Sequence, residues 1–213
     1  QKRISHAENF STDLVHEIRN PLTSLKSASE ILYETEDQEQ RRKLIDILNH
    51  DVQRIERLIT DYSQILKDEV ALSKEKMKKI NLKLIVRSVV DDFNNIYEAK
   101  RGIKVFFNDL NNQEEYFIHG IENRIEQIIA NLLDNSISFS EDNKKILVKI
   151  YKDENKKIIL KVVDEGKGFK EINTKKIFDR FYSNRPENFG EHSGLGLNIV
   201  KNLVDLHGAT INA

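Results

Sequence analysis

Apolar residues recur three and four positions apart through the first third of the chain. Phe10, Leu14, Ile18, Leu22, Leu25, Ser29 and Leu32 form one line, and Leu44, Ile47, Asp51, Ile55, Leu58, Tyr62 and Ile65 form a second. That spacing predicts two amphipathic helices. Between them Thr35-Glu36-Asp37-Gln38 offers a capping arrangement, with Thr or Asp as N-cap and Gln to reach back. A short turn between two long helices makes an antiparallel hairpin. One hairpin has a single apolar stripe per helix and little to bury it against, so two hairpins joined as a four-helix bundle, a homodimer, are expected.

The stripe fades into the charged run EVALSKEKMKK, residues 69–79, which reads as a linker. Beyond it the pattern becomes α/β. Helices are expected over Leu82–Glu98, Glu122–Ser138 and Leu195–Leu206, the last ended by Gly208. Strands are expected over Ile103–Phe107, Tyr116–His119, Ile146–Tyr151 and Lys157–Val163. The last two are joined by the turn Lys152-Asp153-Glu154-Asn155. Residues 164–193, rich in Gly, Asn, Ser and charge, read as a long loop broken by a turn near Ile177–Phe181. The expected fold is therefore α + α/β. Residues 1–68 form the hairpin, 69–79 the linker, and 80–213 an α/β domain whose last strand is cut short at Ala213. The whole reads as a fragment of a longer protein.

Composition narrows the chemistry. Charged residues make up 32% of the 213 positions and hydrophobic residues 38%, enough to bury a core beneath a charged surface. With 34 Lys and Arg against 35 Asp and Glu, the formal net charge is −1. No bulk field argues for nucleic acid or an anionic membrane. Cysteine is absent, which excludes disulfides, thiolate catalysis and Cys-ligated zinc. No run approaches the roughly 20 apolar residues of a membrane span, and no signal peptide is visible.

Four short stretches carry candidate chemistry. In NLLDN, Asn131 and Asn135 share a helix face at i and i+4. Their amide oxygens suit Mg²⁺, which favours oxygen donors, though two surface amides would look the same. DEGKGF follows a strand. Gly166 and Gly168 let backbone approach a ligand, and Asp164 can accept a hydrogen bond from an exocyclic amine. Alone, it reads as a strand-ending turn. SGLGLNIV runs a glycine pair, Gly194 and Gly196, directly into a helix, whose N-terminal N–H groups bind phosphate. FDRFY places aromatics where they could anchor a loop, with Arg180 and Arg185 as cations for phosphate. The remaining histidines, His6, His50, His119, His192 and His207, form no close i, i+4 pair, so a metal site built from them is not expected.

Order and spacing turn these modest signals into one. NLLDN, DEGKGF, FDRFY and GLGLNIV resemble, in order, the N, G1, F and G2 boxes of the histidine-kinase ATP-binding domain. FSTDLVHEIRNPLTSL resembles the H box of its dimerisation and phosphoacceptor domain. The resemblance covers nearly the whole chain. FYSNRPENFGEHSGLGL further resembles the alphaproteobacterial kinases that sense acid or the cell envelope. Three positions depart from the family. Ser138 stands where a Lys or Arg is common, Phe139 where a Tyr is common, and Ser183 where many lids carry an arginine; Lys144, Lys145, Arg180 or Arg185 are the candidates to compensate.

The resemblance implies a dimeric helical hairpin carrying an α/β sandwich that binds ATP and Mg²⁺. His16 would attack the γ-phosphoryl group through Nε2. Glu17 would hold the Nδ1 proton and so favour the useful tautomer. Asn135 would be the Mg²⁺ ligand, with Asn131 as its polar support. Asp164 would read adenine and Phe139 stack over it. Gly166, Gly168, Gly194, Leu195, Gly196 and Leu197 would line the nucleotide. The phosphohistidine would pass to an aspartate of a response-regulator receiver domain. Asn20, on His16's face, would orient water for removing phosphate from that regulator. The parent protein would be anchored in the inner membrane with this part in the cytoplasm, and nucleic acid would play no direct part. Two other readings stand beside this one. One is an ATP-binding but catalytically weak dimeric relay or scaffold, for which Ser138 and Ser183 leave room. The other is a chaperone- or topoisomerase-like ATPase, against which the H box and hairpin argue.

One stretch contradicts its own helix. In HEIRNP, Pro21 has no N–H for the Glu17 carbonyl, and its ring crowds that carbonyl. Because the stripe continues past it, a helix kinked one turn after His16 is expected rather than a helix end at Asn20.

Overall fold

The computed structural model describes the backbone of residues 2–72, 75–109, 114–168, 174–180, 182 and 194–213, and side chains from residue 14 to 63 and then from 75 onward within those segments. The chain divides into two compact units, the first built mainly on residues up to Ala71 and the second on Leu72–Tyr182 and Gly196–Ala213.

The first unit is a pair of long helices, α1 (Lys2–Glu34) and α2 (Gln38–Leu72). Asp37 caps α2. Its Oδ1 accepts the N–H of Glu39 at 2.9 Å and of Gln40 at 3.4 Å, and Thr35 Oγ1 donates to Gln40 Oε1 at 2.8 Å. The reaching-back residue is thus Gln40 rather than Gln38, because Asp37 and not Thr35 is the cap. Arg41 closes the turn from the other side, donating to the carbonyls of Leu32 at 2.9 Å and Thr35 at 3.0 Å. These are orphan carbonyls at the end of α1.

Three of the expected stripe positions move. Leu22 and Ile47 are 51% and 45% exposed and Ser29 is exposed too, while Pro21, Ala28, Leu44, Asp51 and Leu58 are buried. The seam follows 21, 25, 28, 32 on α1 and 44, 48, 51, 55, 58, 62 on α2, a strict alternation of three and four. A period of 3.5 and one of 3.6 share most positions over two turns, which is why the sequence reading strayed by one residue. α1 runs through Pro21 without ending there.

Helix α2 extends to Leu72, and strand β1 (Lys78–Asn81) follows, so the expected linker of 69–79 shrinks to a few residues. β1 escaped the sequence reading because three of its four residues, KKIN, are polar and half of them charged. It is held by pairing antiparallel with β3 (Phe117–Gly120). Helix α3 (Leu82–Arg101) is capped by Asn81, whose side chain accepts the Lys83 N–H at 3.1 Å, and ends at Gly102 with φ +65°.

A second sheet has the order β2 (Lys104–Asp109), β4 (Lys145–Lys152), β5 (Ile158–Val163). β2 and β4 are parallel, β4 and β5 antiparallel. β2 is an edge strand, and Asn94 on α3 covers it: its amide accepts the Val105 N–H at 2.8 Å and donates to the Val105 carbonyl at 2.9 Å. Helices α4 (Glu122–Phe139) and α5 (Gly196–Leu206) complete the unit. α4 is central, touching α3, α5, β4 and β5. Its Ile129 and Leu133 meet a core that includes Ile146, Val148 and Ile150, all fully buried. The 3₁₀ turn Thr174–Phe178 lies a few residues before the expected one. Residues 209–213 form no strand.

Candidate functional site

Two groups of residues are candidates for the chemistry, one in each unit. On α1, His16 and Asn20 are both exposed and four apart, on one face. The Glu17 side chain, next in sequence, is half-buried, and its Oε2 accepts a hydrogen bond from Arg54 Nη2 on α2 at 3.1 Å. Pro21, one turn on, is buried in the seam, and Thr23 Oγ1 donates back to the Arg19 carbonyl at 2.9 Å. The helix therefore presents a solvent-facing imidazole and amide, with a carboxylate beside them that is fixed to the other helix.

In the second unit α4 organises the site. Its apolar face is locked into the core, so Asn131, Asn135 and Ser138 sit half-buried on the flank, and Phe139 is exposed at the end. At a rise of about 1.5 Å per residue, Asn131 and Phe139 lie roughly 12 Å apart along the helix. Each meets a glycine. A Cβ on Gly166 would stand 3.0 Å from the Phe139 carbonyl oxygen and 2.9 Å from Asp164 Oδ1. Only glycine lets the loop after β5 close on the end of α4. The Gly166 N–H donates to Asp164 Oδ1 at 2.9 Å, which fixes the carboxylate beside Phe139. At the other end, a Cβ on Gly196 would be 3.5 Å from Asn131 Oδ1, so the N-terminus of α5 opens beside that amide. Gly168 and Gly194 have φ of +69° and +73°, conformations that favour glycine.

This arrangement sorts the expected residues. Asp164, Gly166 and Phe139 come together at one end of α4, and Asn131 with Gly196 at the other, with Asn135 between. Leu195 is fully buried and Leu197 half-buried. Arg180 is half-buried just after the 3₁₀ turn, which Asn198 ties to α5 by donating to the Phe178 carbonyl at 2.9 Å. Arg185 and Ser183 lie outside the described residues. Of the other candidate cations, Lys144 stands 4.0 Å from Glu165 in the glycine loop, whereas Lys145 lies over the Phe106 ring at 5.8 Å. Ser138 turns back on its own helix, donating to the Asp134 carbonyl at 2.7 Å.

The donor set fits Mg²⁺ held jointly with a ligand. Among the described residues no group of three His, Cys, Asp or Glu side chains could hold a metal. Mg²⁺ commonly keeps few protein ligands and takes the rest from substrate phosphates and water. An amide on α4 near a helix N-terminus is consistent with that pattern. No helix among the described residues is long and apolar enough to cross a membrane.

Sequence reasoning missed Arg101. From the end of α3 it donates to the carbonyls of Ile137 at 2.9 Å and Ser140 at 2.8 Å and pairs with Asp142 at 2.7 Å. It caps the end of α4 on which Phe139 stands. An arginine in a helix's last turn before a glycine was the available signal, but it reads equally well as a dipole partner for its own helix.

Comparison with known proteins matches this division. Residues 7–70 match the family described as His Kinase A (phospho-acceptor) domain, and residues 120–213 match the Histidine kinase-, DNA gyrase B-, and HSP90-like ATPase. The chain belongs to the sensor histidine kinases. This kinase core is 37% identical over 217 residues to "Sensor protein ChvG" of Rhizobium meliloti, a match covering 99% of the chain and 37% of that protein. It is 34% identical to "Sensor protein ChvG" of Agrobacterium fabrum, covering 36% of it. The chain thus spans little more than a third of these relatives' length. Among solved structures, histidine kinase ThkA in complex with response regulator protein TrrA matches 98% of the chain and 57% of that chain, with TM-score 0.66 and 25% identity.

Proposed function

We propose that this kinase core transfers the γ-phosphoryl group of ATP to His16 and then passes it to an aspartate of a response-regulator receiver domain. The observation that carries this is the pairing, in one chain, of a solvent-facing His16 next to a held carboxylate with a nucleotide cradle built along α4. In the ATPase unit, adenine is read by Asp164 and stacked by Phe139, and the phosphates lie toward Asn131 and the N-terminus of α5. Asn135 would hold Mg²⁺ with Asn131 in support; when bound, the ion supplies charge compensation on the phosphates. The neutral His16 imidazole attacks phosphorus with the Nε2 lone pair. The N–P bond forms, the bond to the β-phosphate oxygen breaks, and ADP leaves. The Nδ1 proton passes toward Glu17. Since transfer needs mainly in-line positioning, a shallow, exposed histidine suffices.

The same residues support removal of phosphate from the regulator, with Asn20 orienting the attacking water. The exposed apolar positions of the hairpin support a homodimer. The relatives named as sensor proteins support a membrane-anchored parent of which this is the cytoplasmic part. Incubation with γ-labelled ATP and Mg²⁺ tests the reading. Acid-labile, base-stable label that vanishes in His16→Gln supports the kinase. ATP bound without label supports the relay or scaffold instead.

A further inference from the structure

Glu17 is asked to serve His16, yet neighbouring side chains on a helix do not face each other. His16 points to solvent and Glu17 toward α2, so something must fix where the carboxylate stands. Arg54 does. Its Nη2 donates to Glu17 Oε2 at 3.1 Å across the hairpin. The register is that of the whole hairpin, since Arg41 meets the Leu32 carbonyl in the same antiparallel sense.

The bridge is a poor stability device. The two side chains are 37% and 26% exposed, and ion pairs of that kind contribute little. The buried positions Ala28, Leu44 and Leu58 hold the helices together without it. As a positioning device it is better suited. A guanidinium is always charged and presents donors in a rigid fork. One donor of that fork, Nη2, engages Oε2, which leaves Oε1 for a second contact. An ammonium at the same place would supply charge but not the fork.

We propose that Arg54 is a positioning residue for the His16 reaction: it anchors Glu17 through Oε2 so that Oε1 is presented to His16 Nδ1. This rests on the reading that ATP phosphorylates His16. Loss of the anchor leaves nucleotide binding untouched, because Arg54 lies in the hairpin and the cradle lies in the other unit.

The test is the initial rate of autophosphorylation of the full chain against ATP concentration. Wild type, Arg54→Met, Arg54→Lys, Glu17→Gln and the Arg54→Met/Glu17→Gln double variant are compared, with His16→Gln as the blank. Far-UV circular dichroism and thermal melts show that each variant is folded, and long incubations give the residual rates. The expected result is a kcat about tenfold lower in Arg54→Met with KM for ATP unchanged, and partial recovery in Arg54→Lys. Arg54→Met should have no further effect when Glu17 is already Gln. Equal rates in wild type and Arg54→Met overturn the proposal. So does a loss equally large in the Glu17→Gln background, which would make Arg54 a packing residue. Absence of label in wild type overturns the kinase reading itself, and the positioning role falls with it.

Discussion

Asn20 and His16 share a face of α1, and Asn20 has the amide needed to orient a water. Asn20→Ala should leave His16 labelling within about twofold, since in-line attack does not use it, and should slow dephosphorylation of the regulator at least tenfold. Following both reactions on the same preparation checks this; equal loss of both would remove Asn20 from the water-positioning role. Tyr116 shows how a single residue can set the behaviour of a sheet edge. It is 1% exposed, its hydroxyl donates to Asp109 Oδ1 at 3.2 Å, and Lys83 pairs with the same carboxylate. Burial first, then the hydrogen bond and charge of Asp109, push the phenol up to about 12 from 10.0. The folded state therefore keeps its proton where the unfolded chain has lost it. The stability that Tyr116 contributes is full below pH 10.0 and is lost as pH rises toward about 12, a loss that should be absent in Tyr116→Phe. Denaturant midpoints measured across this range decide it, and identical slopes in both proteins would contradict the assignment.

At the scale of elements, the glycine loop and α4 form one object. Gly166 closes on the Phe139 carbonyl with no room for a methyl group. Gly166→Ala should displace Asp164 from Phe139 and weaken ATP binding about tenfold, roughly 1.4 kcal/mol. Titration with a fluorescent ATP analogue reads it, and an unchanged Kd would show that the contact is not part of the cradle. The sequence already showed the long periodic helices, the β4–β5 hairpin and the glycine-to-helix junction, because each has a local cause: period, turn chemistry or capping. What it did not show has non-local causes. β1 exists because β3 pairs with it, not because KKIN favours a strand. Arg101 acts on a helix reached only through the fold, and Arg54 looks like solvated charge until α1 is placed beside α2. Asn94 reads as a helix-surface amide until β2 is found uncovered beside it. The proposed site residues were legible for the opposite reason: nucleotide chemistry asks for residue types at set spacings along one helix and two loops.

For the whole molecule, the hairpin leaves apolar residues outside its own seam. Ile45, Val52 and Ile59, 45%, 45% and 51% exposed, repeat every seven positions along α2, and Val15 and Leu22 do so on α1. A heptad line on an otherwise polar helix is the pattern of a helix–helix interface, and it fits a second copy of the hairpin. Val52→Lys should shift the chain toward monomer in analytical ultracentrifugation while leaving ATP binding by the other unit intact; a dimer of unchanged strength would place the interface elsewhere.

The kinase account itself depends on one claim, that ATP held along α4 phosphorylates His16. Its most direct test is mass-spectrometric mapping of the phosphorylated residue after incubation with ATP and Mg²⁺, in wild type, His16→Gln and Asn135→Ala. The account predicts phosphohistidine at His16 in the wild type and none in either variant. Phosphate on any other residue, or label that persists in His16→Gln, would contradict it.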